Sequence, residues 1–233
     1  AMGAGHTGAW AQGRAASPAG ATDKAGATDK ASTAKGATVL VVGDSLSAEY
    51  GLRRGTGWVA LLAEQLKRSP SSAKVPTQAP VQVPVQVVNA SISGDTTSGG
   101  RARLPGLLKQ HQPTVLVIEL GGNDALRGLP MSMTEQNLHA MAQAGQQAGA
   151  KVLLVGMQVP PNYGTAYTRD FEAVFAKVAQ ASQARLVPFL LKGVADAPNA
   201  AALFQADRIH PNESAQATLL GNVWPTLKGM LPG

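Results

Sequence analysis

The sequence predicts an α/β domain of three layers, with a doubly wound, five-stranded parallel sheet between two layers of helices. Three observations lead there. Short and almost continuous apolar runs recur along the chain, the form a strand takes when both of its faces are buried. Between them lie segments whose apolar residues fall at helical spacing. Three of the runs stop abruptly at glycine: Gly43, Gly121 and Gly156.

The elements follow in order. Thr38–Val42 (TVLVV) is the first strand, and Thr56–Arg68 is a helix with Trp58, Leu61, Leu62 and Leu66 near one face. Val85–Val88 is the second strand, and Thr114–Leu120 (TVLVIEL) the third. Ser132 and Glu135 form a capping-box pattern that opens a helix to about Ala148. Lys151–Gly156 is the fourth strand. Phe171, Val174, Phe175 and Val178 mark a helix face, and Ala184–Pro188 is the fifth strand. Pro211 and Asn212 open a last helix with Leu219, Val223 and Leu227 on one side; Pro225 within it is expected to kink or end it. Strands alternating with helices in this way give a flavodoxin-like winding with right-handed crossovers. Ligands in such folds gather beyond the C-terminal ends of the strands.

Two stretches stand apart. Residues 1–36 are mostly Ala, Gly, Thr, Ser and Lys, and AGATDK occurs there twice in tandem. Such a composition buries too little to offset its ordering entropy, so a disordered tail is expected. It lacks a basic stretch followed by an apolar one, so it is not read as a signal peptide. It reads as an expression remnant plus spacer, or as a mature N-terminus after a signal is removed. The domain is then 37–233. Within it, Ser69–Pro84 holds prolines at 70, 76, 80 and 84 and reads as a Pro-rich surface insertion of polyproline or edge character.

Composition excludes several functions. There is no cysteine, hence no disulfide scaffold, thiol nucleophile or thiolate metal site. No apolar run reaches the length of an integral membrane span. The net charge is +6, yet aromatic residues are 4% and no basic stripe interleaves with them, so nucleic acid is not an expected partner. The four histidines are dispersed, with no metal-binding spacing; neither metal nor cofactor is expected.

The residues able to do chemistry sit just after strand ends or in the last loop. Gly43-Asp44-Ser45-Leu46 follows the first strand, although a bare strand-to-helix turn would read the same. A serine hydroxyl needs a base to take its proton, and that base is usually a histidine oriented by a carboxylate. His6 lies in the tail, His111 at a helix end and His139 on a helix. His210 is the histidine that has a carboxylate, Asp207, three residues away in a loop. Gly94 follows the second strand and allows close approach of a backbone N–H; Asn123 follows the third and carries an amide. Alone, each is a turn residue. In a 2-1-3 strand order their strand ends are neighbours.

With these residues placed, the chain resembles the SGNH (GDSL) hydrolase family, in its multifunctional thioesterase, lysophospholipase and arylesterase group. The matching text is VVGDSLSAEYGL at 41–52, VVNASISGDTTSGG at 87–100, ARLPGLLKQHQP at 102–113, VIELGGNDALRGLP at 117–130, PPNYG at 160–164 and DRIHPN at 207–212. The resemblance implies Ser45 as nucleophile, Asp207 and His210 completing a triad, and an oxyanion hole from Ser45, Gly94 and Asn123. It implies carboxylic ester and thioester substrates, lysophospholipid among them. Glu49 stands where that pattern is expected to have a small residue. Candidate substrate contacts are Leu129, Met157, Pro160 and Tyr163, and core packing explains Leu129 and Met157 equally well. A carbohydrate O-deacetylase and a non-catalytic binding module on the same fold are the alternatives. Family relatives of this kind are often exported, so a periplasmic or secreted location is expected, with a cytoplasmic one as the alternative.

Overall fold

The computed structural model describes residues 36–68, 71–73 and 81–232. The tail expected over 1–36 lies outside the described residues except for Gly36. Strands β1 (Ala37–Gly43), β4 (Val85–Asn89), β5 (Val115–Glu119), β6 (Lys151–Val155) and β7 (Arg185–Val187) form one parallel sheet in the order β4-β1-β5-β6-β7. Within Ser69–Pro84, β2 (Ser71–Ala73) and β3 (Val81–Val83) pair antiparallel as a separate ribbon.

Helix α1 (Trp58–Arg68) packs against α6 (Gln216–Lys228) on one face. Helices α2 (Thr97–His111), α4 (Met131–Gln147) and α5 (Thr165–Ser182) pack side by side on the other. The central strands are buried because both layers cover them: Val39, Leu40, Val41, Val42 and all of β5 are almost fully inaccessible. That is why they read as unbroken apolar runs. The predicted three-layer parallel architecture is therefore the observed one.

One local expectation is corrected and another is narrowed. Helix α4 begins at Met131 with Pro130 as its N-cap and no side-chain cap, so Ser132 and Glu135 form no capping box. Pro130 at φ −57 is already set for the first turn and its carbonyl accepts from Met133 and Thr134. Glu135 instead pairs with Lys177 of α5 at 3.1 Å. Helix α6 also runs through Pro225 to Lys228 rather than ending there. Val223 and Leu227 are fully buried and hold its last turns. The carbonyl that Pro225 leaves unmatched belongs to exposed Gly221, where water can serve it.

The register positions the site. Gly43 lies opposite Glu119, and Val41 opposite Asn89. The segments leaving β1, β4 and β5 therefore start at one level along the sheet edge. The loop after β4 is tied there by Ala90 N–H to Val41 O at 2.8 Å and Ile92 N–H to Gly43 O at 3.0 Å.

Candidate active site

Ser45 sits in the tight turn that follows β1. Asp44 builds the turn: its carbonyl accepts from Ser47 and Ala48, and its Oδ1 accepts from Leu46 N–H at 3.0 Å. Gly43 is needed for this bend, since a Cβ there would stand 2.8 Å from Glu119 Oε2 and 2.9 Å from Ser47 Oγ. The result is a half-buried serine hydroxyl at the sheet edge.

The loop before α6 brings the base. It is closed by an antiparallel bridge between Phe204 and Pro211, by Gln205 N–H to His210 O at 2.8 Å, and by Asn212 N–H to Leu203 O at 2.8 Å. At its tip Asp207 Oδ1 accepts from the N–H of Ile209 at 2.9 Å and of His210 at 3.0 Å. Asp207 Oδ2 lies 2.6 Å from His210 Nδ1, and His210 Nε2 lies 2.9 Å from Ser45 Oγ. Carboxylate, imidazole and hydroxyl thus form one continuous chain across 165 residues of sequence. The backbone N–H groups of His210 and Ile209, then the imidazole, hold the Asp207 carboxyl down to about 2. It stays ionised wherever an imidazole titrates. The Tyr50 ring lies 4.4 Å from the His210 ring, centroid to centroid, on the turn after Ser45.

The other two histidines within the described residues take no part in this chain. His111 is the last residue of α2, and His139 is half-buried within α4. No three His, Cys, Asp or Glu side chains among the described residues are grouped to hold a metal ion.

Of the three residues expected to supply donors, Ser45 and Asn123 line the cavity beside His210, and Gly94 lies in the loop after β4. Gly94 adopts φ 77, a left-handed conformation that favours glycine, and its carbonyl accepts from Arg127 Nη2 at 2.7 Å. Its N–H and that of Ser45 make no hydrogen bond within the described residues. Asn123 lies in the short helix α3 (Gly122–Leu126). Its Nδ2 donates to Asp44 Oδ2 and to Asp95 O, each at 3.0 Å. Both amide hydrogens are therefore already engaged.

Beneath Ser45 lie two buried carboxyls that the sequence reading did not single out. Burial pushes Asp44 up to about 6, despite help from Leu46 N–H, His210 and Asn123. Glu119 is fully buried and raised well above the carboxylate range, first by burial and then by Asp44. Its Oε2 accepts from Ser47 Oγ at 2.7 Å, and Ser47 Oγ in turn accepts from Trp58 Nε1 at 3.2 Å. Asp124 is a third buried acid. It ties α2, α3 and α4 together, accepting from Thr97 N–H at 2.9 Å, from Thr97 Oγ1, and from Thr134 Oγ1 at 3.2 Å.

A cavity of about 720 Å³ opens beside Ser45 and His210. Met157 and Pro160 line it as anticipated. Leu129 and Tyr163 do not, and both are corrected. The Leu129 N–H folds back onto Asp124 O at 2.9 Å, past the end of α3, and Leu126 takes the wall position instead. Tyr163 starts an aromatic row along α5, 5.9 Å from Tyr167, which stacks on Phe171. The wall that sequence reasoning missed comes from Phe189, Leu191, Ala201, Phe204 and Ile209. Phe189 and Leu191 were reachable by the strand-end rule, since they directly follow β7. Glu49 is absent from the wall: its carboxylate accepts from Gly55 N–H at 3.0 Å and Gly57 N–H at 2.8 Å, ordering the approach to α1.

With this geometry in hand, the comparisons place the chain in a class. Residues 41–218 match the GDSL-like lipase/acylhydrolase family, and the chain belongs to it. It is similar to esterase TesA of Pseudomonas aeruginosa, with 50% identity over 194 residues, covering 83% of this chain and 89% of the relative. It is also similar to thioesterase 1/protease 1/lysophospholipase L1 of Escherichia coli K12, with 42% identity over 179 residues, or 77% of each chain. A crystal structure of TesA superposes with a TM-score of 0.75 at 50% identity, covering 83% of this chain and 99% of that one.

Proposed function

We propose that this protein hydrolyses carboxylic esters and thioesters of acyl chains through an acyl-enzyme on Ser45. The observation that carries this reading is the Asp207–His210–Ser45 chain at 2.6 and 2.9 Å, standing at the mouth of a largely apolar cavity. Ser45 Oγ attacks the acyl carbonyl carbon while His210 Nε2 takes its proton. Asp207 fixes the imidazole tautomer and stabilises the imidazolium. The Ser45 and Gly94 N–H groups take the oxyanion, joined by Asn123, which bifurcates one of its two hydrogen bonds. The tetrahedral intermediate collapses, the C–O or C–S bond breaks, and His210 returns the proton to the leaving oxygen or sulfur. Water, deprotonated by His210, then attacks the acyl carbonyl and frees the acid.

The apolar wall argues against a carbohydrate O-deacetylase, which needs a polar cleft for sugar hydroxyls. The aligned base and hydroxyl argue against a binding module without catalysis. Among the described residues no helix is long and apolar enough to cross a membrane. A periplasmic or secreted location goes with this reading, and fractionation of cells expressing the native gene tests it. The reading itself is tested by rates on p-nitrophenyl esters from acetyl to palmitoyl, beside an acyl thioester and a lysophospholipid. Medium-chain esters and the thioester should be turned over faster than the acetyl ester. Activity confined to acetyl groups on sugars would overturn it.

A further inference from the structure

The loop that carries the base contains a residue whose backbone opposes its own side chain. Arg208 has φ 56, in the left-handed region where glycine is the ordinary occupant and a Cβ crowds the following carbonyl. It lies between Asp207 and His210, in the turn that the Asp207 carboxylate closes. The turn itself needs no arginine. The Arg208 N–H bonds Gln205 O at 2.9 Å, a contact any residue but proline would make. Glu49, Gln112 and Gln183 share this conformation, so the backbone raises the question of a role for an arginine here and its side chain answers it.

The side chain supports that reading. Arg208 lines the same cavity as Ser45 and His210. The other charged groups of the wall are engaged: Asp44 by Asn123 and Leu46, Asp207's partner His210 by the catalytic chain, and Asp196 by Gly193 N–H at 2.5 Å. The Arg208 guanidinium has no hydrogen bond or ion pair with any described residue. It is exposed at the mouth, on the turn that holds His210.

We infer that Arg208 is a specificity determinant that binds an oxyanion of the phosphate type carried by the leaving group of the substrate. This rests on the esterase and thioesterase reading above and adds which leaving groups are favoured. His210 must hand its proton to the departing oxygen or sulfur, so the leaving group lies against the 207–210 turn. The acyl chain takes the apolar wall of Leu126, Met157, Phe189 and Leu191. Arg208 then faces the alcohol or thiol part, and its planar fork matches two oxygens of a phosphate.

Two matched pairs test this, each sharing its reacting atoms. One is 1-octanoylglycerol against 1-octanoylglycerol 3-phosphate. The other is S-octanoyl-N-acetylcysteamine against octanoyl-coenzyme A. The readout is the ratio of kcat/KM for the phosphate-bearing member to that for its neutral partner, taken within each variant and so independent of the folded fraction. In Arg208→Gly and Arg208→Gln the ratio should fall about tenfold in at least one pair, the scale of a charge-assisted contact, with Arg208→Lys between them and the wild type. The wild-type ratio should also shrink as ionic strength rises. A fall in the glycerol pair alone assigns the phosphate to a lipid headgroup, a fall in the thioester pair alone to a nucleotide-type carrier, and a fall in both to phosphate in general. Arg208→Gly relieves the left-handed constraint and should melt no lower than the wild type. A ratio unchanged in both pairs, on a wild type active toward the neutral members, overturns the inference and leaves the esterase reading standing. A wild type inactive on all four compounds overturns both.

Discussion

Asn123 Nδ2 donates to Asp44 Oδ2 at 3.0 Å, so the residue just before Ser45 holds the side-chain amide proposed to serve the oxyanion. The same carboxylate accepts from Leu46 N–H on the nucleophile's other side. Asp44 therefore couples the turn that presents Ser45 to the donor from the next strand.

That coupling predicts a pH signature. The folded pKa of Asp44, about 6, lies above its ordinary value of 3.8. The protonated form is favoured in the folded protein, so this group's contribution to stability is present below about pH 4 and lost as pH rises through about 6. Asp44→Asn removes the titration. The variant should gain stability relative to the wild type between those limits, by roughly 3 kcal/mol at most, as read by urea melts from pH 4 to 8. A constant difference across that range would refute the assignment.

Asn123→Ala separates catalysis from packing. If the amide serves the transition state, kcat and kcat/KM should drop together by about 10²–10³-fold, with KM little changed. A folded variant with kcat within about threefold of wild type would show that the amide only braces Asp44 and the 95 loop.

Asp124, its neighbour, should behave oppositely. It is fully buried and receives hydrogen bonds from both the backbone and the hydroxyl of Thr97. Asp124→Asn turns one acceptor into a donor facing donors, so it should cost roughly 1–3 kcal/mol of stability. Its rate per folded molecule should fall far less than that of Asn123→Ala. Thermal melts beside active-site-titrated kcat values distinguish the two.

An acyl chain lying along the cavity wall would have its length limited by the residues there. Ala201 is exposed, lines the cavity and lies in a short 3-10 turn, Ala200–Ala202, outside the core. Ala201→Phe should lower kcat/KM for decanoyl relative to butyryl p-nitrophenyl esters by about tenfold or more, since each methylene that loses its apolar contact costs about 0.8 kcal/mol. An unchanged ratio would mean the acyl chain lies elsewhere.

The sequence revealed the sheet because its strands are buried on both faces and must read as apolar runs. Helix starts were less legible. Ser132-x-x-Glu135 has the letters of a capping box, but Pro130 nucleates the first turn earlier, and local pattern alone does not register that competition. Ser45, Gly94 and Asn123 were legible because each follows a strand end, and Asp207 and His210 because a carboxylate and a histidine stand three residues apart in one loop. The apolar wall was legible only in part: Met157 and Pro160 were found, but Leu129 and Leu126 look alike in a linear reading and a turn at Gly128 decides between them. Glu119 did leave a signal: it is the one charged residue inside the run TVLVIEL, and a charge in a strand buried on both faces marks a buried polar cluster.

The central claim is that Ser45 attacks the acyl carbonyl. Its most direct test is the kcat/KM of Ser45→Ala on p-nitrophenyl butyrate, with folding checked by circular dichroism. Loss of the covalent route should lower the rate on the order of 10⁴-fold or more while the protein stays folded. A folded Ser45→Ala variant that keeps even a tenth of the wild-type rate would contradict the account.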